Sequence, residues 1–355
     1  MTFPRQTLRE RMARDFFQTP ASAALTAVIL GVILLALYKA FAWGLLDASA
    51  TRDIAVCRAS QGACWGFVVE KWHVIIFGRF PYEEQWRAAA ATAAVVVMFI
   101  VSLWPVAWRH RRIVAAGWTA TFAVFFALMY GGVFGLSYVD TDLWGGLPLT
   151  IILTLFGMSA SAPIGIALAL GRRSSMPIIR FLSAGYIELV RGVPLITVLF
   201  VATYIFPMIF PSGFSISAFW RVVIGIVLFQ AAYMAETVRG GLQTISRGQT
   251  DAALSLGMGF WQANRLVVLP QALVCIIPAF VNSLLSTFMD TSLVTVVSMY
   301  DLTGALRLAL GDPVWRAYFV EGYVFIASIY FFSSFSMSRY SLWLERRLNP
   351  HRKTA

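Results

Sequence analysis

Charge is scarce in this 355-residue chain: Asp, Glu, Lys and Arg make up 13% of it, against 59% apolar residues. Lysine occurs only as Lys39, Lys71 and Lys353, and none of them follows a glycine. A phosphate-binding loop ending in Gly-Lys-Ser/Thr is therefore excluded, and with it ATP binding by that route. The histidines, His73, His110 and His351, are too scattered to pair as metal ligands, so no metal site is expected and loop or interfacial roles suit them better. No G-x-S-x-G nucleophile elbow occurs, and no catalytic residues are expected. Cysteine is nearly as rare. Cys57 and Cys64 share one polar stretch, where they are placed either for a small extracytoplasmic disulfide loop or as two free thiols; Cys275 stands alone.

What the chain has is long apolar runs. Windows of about 20 residues, the length that crosses a bilayer, place spans at 23–46, 88–107, 113–137, 147–170, 192–211, 219–238, 272–298 and 318–338. The expected fold is an all-α polytopic membrane protein with about eight transmembrane helices. Barrel strands would alternate at period two, whereas these runs are continuously apolar, and a helix satisfies its own backbone in lipid. The run from Ala23 to Leu46 is too long for a signal-peptide core and lacks an A-x-A site, so it reads as a retained span.

The net charge of +11 gathers in arginine clusters at span ends, which argues for membrane anchoring and against nucleic acid as a partner. Arg5, Arg9, Arg11 and Arg14 precede the first span; Arg109, Arg111 and Arg112 follow the second; Arg172, Arg173 and Arg180 follow the fourth; Arg346, Arg347, Arg352 and Lys353 end the chain. All fall on one side, which the positive-inside rule makes cytoplasmic, together with both termini. The opposite connections agree: VDTDLWGG at 139–146 is acidic, and 212–218 is uncharged. An extension at 1–140, with three spans and an outside segment at 47–87, is expected before a five-span core at 141–342 and a basic tail at 343–355.

Three features are candidates for function. The first is a polar interruption, GQTDAALSLG at 248–257, within a cytoplasmic connection at about 241–270. Gln243 to Leu256 has good helix formers, Gly257 suits a helix end, and Phe260 to Val268 is expected as a second helix stopping before Pro270. Ala252 and Ala253 would let a partner surface approach, although a hairpin packed on its own bundle reads similarly. The second is an E-x-x-R-G pattern that occurs twice, as Glu188 with Arg191 and Glu236 with Arg239. At i,i+3 each pair can meet on one helix face, either as a helix-end ion pair or at the inner mouth of a pathway. The third is Asp290, in an otherwise uncharged run, where a carboxylate costs about 2.5–3.5 kcal/mol and so should face the bundle interior or water. Asn282, Ser286 and Thr287 recur near it, suited to the pathway or to bonds between helices; Pro278 is a candidate kink.

The spacing Asp251-Ala252-Ala253, Gly257, Val267, Leu269-Pro270, with Gln249 before it, resembles the EAA loop of the membrane subunits of bacterial ABC importers. GLPLTIILTL, LALGRRS, YIELVRGVPLI, AETVRGGLQTISRGQ, LPQAL, PAFVNSLL and DTSLVTVVSMYDL resemble the polar-amino-acid, or histidine-type, branch over about 145–342. The three-span extension with CRASQGACWGF is similar to the M-type permeases of general L-amino-acid importers. The resemblance implies a type I importer permease core in the inner membrane, moving L-amino acids, with the 248–270 loop as a coupling helix. It implies two ABC ATPase subunits that bind ATP and Mg in place of any cofactor in this chain, a second, Q-type permease as heterodimer partner, and a periplasmic amino-acid-binding protein. Asp290 stands in the family's K-D-T-S-L segment, with Met289 in place of the Lys, and becomes a candidate for the substrate ammonium group or a basic side chain. The alternative is a cation-coupled secondary carrier using Asp290, which would have no need of a docking loop.

Overall fold

The computed structural model describes residues 16, 19–133, 135–209 and 216–348. Arg5, Arg9, Arg11, Arg14, His351, Arg352 and Lys353, and most of the 212–218 connection, lie outside the described residues. The chain forms two compact units. One comprises residues up to Glu70 with Ala317–Glu321; the other comprises Lys71–Arg316 and the chain from Gly322 onward. The boundary between these units falls near residue 70, within the segment that hydropathy assigns to an outside loop.

In the first unit, helix α1 (Pro20–Phe41) starts at Thr19, whose side chain accepts from the Ser22 N–H, and it runs on through a π turn, Ala42–Leu46. It buries none of its side chains. A helix apolar on every face needs lipid around it. The chain then folds back: Ser49 N–H donates to the Ala63 carbonyl (2.8 Å) and Trp65 N–H to the Ser49 carbonyl (2.7 Å). Short helix α2 (Ile54–Ala59) is capped by Asp53 and carries Cys57, which is bonded to Cys64 across a Cα–Cα distance of 5.4 Å. The buried Cys64 N–H donates to Glu321 Oε1 at 2.8 Å.

Helix α3 (Gly66–Phe77) leads into the second unit, where α4 (Gln85–Leu103) and α5 (Arg111–Tyr130) form an antiparallel pair. The sequence places the second and third spans at 88–107 and 113–137. The second ends earlier, because Trp104-Pro105 leaves no helical continuation, and the third ends at Gly131 and Gly132, both in the left-handed region. Ala88, Ala91, Val95, Phe125 and Met129 from this pair share one core with Leu149, Ile152, Leu153, Phe219 and Val222. The two helices before residue 140 are thus packed into one bundle with the later helices.

The bundle is built on α6 (Gly146–Arg172) against α9 (Ala218–Thr244). Gly157, Ser161 and Gly165 recur every four residues along α6, the small-residue spacing that lets membrane helices approach closely. A Cβ at Gly165 would lie 2.6 Å from Met234 Cβ, and one at Gly157 would lie 3.0 Å from Ile226. Gly146 begins α6 at φ +63°, against the Ile76 carbonyl, where an L side chain would be strained and blocked. Gly146 also bridges to Asp301 in the two-residue strand β1 (Tyr300–Asp301). Fully buried Asp301 caps helix α12 (Leu302–Ala309) by accepting from the N–H groups of Thr303 and Gly304, and it accepts from the Thr295 hydroxyl at 2.9 Å. Burial raises this carboxyl above its ordinary range, and the four donors around it, Tyr330 included, pull the other way.

Seven helices among the described residues are long and apolar enough to span a membrane, and one bent pair meets the same test when its two helices are taken together. Helices α7 (Pro177–Arg191) and α8 (Leu195–Ile209) meet at 105°. The expected span at 192–211 is therefore only the second limb of a broken one. Pro194 has no N–H to continue α7, and it biases Val193 away from the helical region. The remaining elements are α10 (Arg247–Ser255), α11 (Leu269–Asp290), a 3-10 stretch Thr291–Val297, and α13 (Phe319–Leu348). Helix α11 is continuous through Pro278.

Replacement of Gly165 by Val is expected to separate α6 from α9 and lower stability by about 1–3 kcal/mol. Thermal unfolding of the detergent-solubilised protein, compared with Ala167→Val on the exposed face of the same helix, measures it.

Candidate functional site

Two neighbouring features share Arg191 and meet α9 about one turn apart. The first is a cavity of about 590 Å³. It is lined by Arg191, Gly192, Val193, Pro194 and Leu195 from the bend, by Phe229, Gln230 and Tyr233 from α9, and by Ser283, Ser286, Asp290 and Leu293 from α11 and its extension. The break at Pro194 delivers this geometry. It stops α7 one turn after Glu188, so Arg191 reaches the cavity from the last helical turn, with its guanidinium 5.6 Å above the Tyr233 ring. Asp290, half-buried at the end of α11, supplies a carboxylate to the same lining. A cation and an anion share one apolar-lined hollow with hydroxyl and amide groups between them. The volume lies within the roughly 300–1,000 Å³ usual for small-molecule sites.

The second feature is an ionic cluster of α6, α7 and α9. Sequence spacing pairs Glu188 with Arg191 and Glu236 with Arg239. The structure keeps the second pair, in which Arg239 donates to Glu236 Oε1. It exchanges the first: Glu188 binds Arg172 at 2.9 Å, and Arg191 lies 3.5 Å from Glu236 Oε2. Arg172 also approaches that oxygen at 3.8 Å. The reason is geometric. Where α7 ends, Arg191 turns over Tyr233 towards α9, and Glu188 is left facing the last turn of α6. Glu236 thus gathers the guanidinium groups of three helices, yet its Oε2 accepts no hydrogen bond. It is held by charge at ion-pair distance, an arrangement that can change partners with little loss.

Of the other sequence candidates, Ser286 lines the cavity, and Asn282 is exposed outside the lining. Thr287 is buried against α6, donating to the Ser283 carbonyl at 2.8 Å with Met158 Sδ at 3.3 Å, so its role is packing between helices. Gln230, Tyr233, Ser283 and Arg172 were not singled out by sequence. Gln230 carried a usable signal, being a polar side chain in an apolar run as Asp290 is. Arg172 reads only as one of a basic cluster.

Helix α10 is shorter than the expected Gln243–Leu256, because α9 runs on to Thr244 and Ile245-Ser246 break the path. Gly257, at φ +83°, ends it, with its N–H donating to the Leu254 carbonyl at 2.9 Å. The second limb is not a separate helix stopping before Pro270. A turn at Phe260–Ala263 and a π turn at Asn264–Val268 carry the chain directly into α11, with Pro270 in its first turn, where a missing N–H is harmless. The two alanines part company: Ala253 is buried at 3% exposure, whereas Asp251 and Ala252 are exposed beside Leu254, Leu256 and Trp261. Gln249 accepts from the Gln271 side chain at 3.1 Å, tying α10 to α11; Leu269 is partly buried and Pro270 exposed. Among the described residues no group of His, Cys, Asp or Glu is arranged to hold a metal ion.

Replacing Glu236 by Gln is expected to lower stability by roughly 1.5–3 kcal/mol, because three guanidinium groups lose their shared counterion. Replacing the more exposed Glu188 by Gln should cost under about 1 kcal/mol. Thermal unfolding of the two variants side by side checks that order.

A family model described as binding-protein-dependent transport system inner membrane component matches residues 161–350. Among curated relatives, the inner membrane amino-acid ABC transporter permease protein YhdY of Escherichia coli K12 is 44% identical over 314 residues, covering 87% of this chain and 84% of the relative. The glutamate/glutamine/aspartate/asparagine transport system permease protein BztC of Rhodobacter capsulatus is 34% identical over 404 residues, covering 95% and 93%. A crystal structure of an amino acid ABC transporter with histidines superposes with a TM-score of 0.51 at 32% identity, covering 57% of this chain and 92% of that one.

Proposed function

Because this chain belongs to the family of inner membrane components of binding-protein-dependent transport systems, we propose that it passes L-amino acids through the cavity between Arg191 and Asp290. The chain is a multi-pass inner membrane permease. The observation that carries the substrate reading is the pair of opposite charges lining one hollow. Arg191 offers a guanidinium fork to an α-carboxylate, and Asp290 offers a carboxylate to an ammonium group. The names of the relatives above support amino acids as the cargo. Family membership favours this reading over a cation-coupled carrier built on Asp290.

Energy enters from outside the chain in this reading. Two ABC ATPase subunits bind ATP and Mg and grip α10, and a periplasmic amino-acid-binding protein delivers the substrate. Exposed Asp251, Ala252, Leu254 and Leu256 form the gripped surface, while buried Ala253 and the turn at Gly257 hold it in shape. Movement of α10 reaches α11 through Gln249–Gln271 and through the shared backbone, and the Glu236 cluster exchanges partners as the inner mouth opens. A second, Q-type permease completes the pathway. The exposed polar and small residues Cys275, Ala279, Asn282 and Ser286 along α11 suit a protein neighbour better than lipid. The arginine clusters support both termini, α10 and the Glu236 cluster on the cytoplasmic side, with the Cys57–Cys64 loop outside. The matched amino acid transporter spans little more than half of this chain, which supports a core of about residues 141–342 with an added N-terminal part.

In proteoliposomes holding the complete transporter, Asp290→Asn and Arg191→Gln are each expected to cut uptake at least about ten-fold, the loss of one charge-assisted contact, with the ATPase still bound. Normal uptake of every amino acid by both variants counts against the cavity. Ala252→Arg should abolish copurification of the ATPase with thermal stability unchanged, whereas Ala253→Arg should lower stability first. The opposite order removes the docking assignment.

A further inference from the structure

The structure brings a second set of arginines together, apart from the cavity and the Glu236 cluster. The turn between α4 and α5 carries Arg109, His110 and Arg112 with their side chains exposed, and the last turns of α13 carry exposed Arg346 and Arg347. Far apart in sequence, the two stretches are joined by aromatic and hydrogen-bond contacts. Tyr340 donates its hydroxyl to the Leu103 carbonyl at 3.1 Å, and the Trp108 and Trp343 rings lie 6.4 Å apart. Trp108 is itself anchored by donation to the Ser102 carbonyl at 3.1 Å, and Trp118 donates to the Ser102 hydroxyl at 2.9 Å. Arg347 lies 5.2 Å above the Trp343 ring. The cations are therefore set on a built aromatic base.

Their level is set by the spans. Three membrane-spanning helices end or begin at this patch, so its charges lie directly beyond hydrocarbon, where headgroups are. The rim is apolar: Trp104, Val106 and Ile113 are 65%, 68% and 69% exposed, and they continue the lipid-facing surface of α4 and α5. We propose that this patch, formed by the α4–α5 turn and the end of α13, binds the headgroup of an anionic phospholipid. The guanidinium groups would take the phosphate in forked hydrogen bonds, the tryptophans would sit at the glycerol level, and the apolar rim would take the acyl chains. Charge complementarity and the continuity of the rim with lipid-facing surface favour lipid over a protein partner, whose grip is assigned to α10. The placement at the bilayer boundary follows from the spans alone; only the choice of leaflet rests on the proposed orientation.

The test uses the complete transporter in nanodiscs of phosphatidylcholine with an increasing fraction of phosphatidylglycerol, with retained phosphatidylglycerol counted by native mass spectrometry. The triple variant Arg109→Gln, Arg346→Gln, Arg347→Gln is compared with Arg346→Lys, Arg347→Lys and the unaltered chain. The unaltered protein should retain phosphatidylglycerol preferentially, and the triple variant should weaken retention by roughly five-fold per charge removed. Its thermal midpoint in phosphatidylcholine alone should be unchanged. The lysine variant should fall between the two, keeping charge but losing the fork. Equal retention by all three overturns the proposal. So does displacement of the lipid by millimolar inorganic phosphate, which would make this a free-anion site, and so does loss of the ATPase from the triple variant with lipid retention intact, which would make it a protein contact.

Discussion

Pro194 cannot donate a backbone hydrogen bond, and the arrangement of the cavity and of the ionic cluster beside it is organised around the place where that donor is missing. Helix α7 stops at Arg191, the chain turns through 105°, and α8 resumes the crossing. Arg191 is the last residue of α7 and stays in i,i+3 register with Glu188, yet its side chain leaves that neighbour. At the bend Arg191 stands over Tyr233, lines the cavity, and reaches Glu236 on another helix. One side chain thereby touches both the hollow that would hold a substrate and the ionic cluster beside it.

That position depends in turn on how closely α6 and α9 approach. Between helices in lipid there is no hydrophobic drive, so association rests on packing. Gly157, Ser161 and Gly165 supply it by letting the large side chains of α9 lie against the backbone of α6. The closeness brings Arg172 at the end of α6 within ion-pair reach of Glu236. At the other end of α6, Gly146 and the buried Asp301 tie the helix start to β1 and α12. The bundle is fastened firmly at that end and by a rearrangeable set of charges at the other, an asymmetry that suits a pathway whose access must alternate.

Much of this was legible in the chain. Seven spans stand out as apolar runs because lipid demands about 20 continuous apolar residues, and tertiary context has little power to override that demand. Gly257 was readable as a helix end because few other residues adopt its backbone conformation. Asp290 was readable because a lone carboxylate in an apolar run has few places to face. The second limb of the 248–270 loop was misread: Pro270 suggests a stop, yet in the first turn of α11 it interrupts nothing. Ala252 and Ala253 were indistinguishable as letters, and only the register of α10 against the bundle buries one of them.

Sequence by itself determined the class of molecule, the apolar runs long enough to cross a membrane, the position of the polar loop and the lone carboxylate in an apolar run. These are local properties, set by composition and by the conformational limits of single residues. Tertiary structure alone decided that Glu188 pairs with Arg172 and Arg191 with Glu236, that Gln230 and Ser283 share a cavity with Asp290, and that the α4–α5 turn meets the end of α13 through Trp108 and Trp343. Such partnerships depend on the angle at which one helix leaves a bend and on the rotation at which another packs. An error of one residue in either turns a side chain by about 100° and gives it a different neighbour.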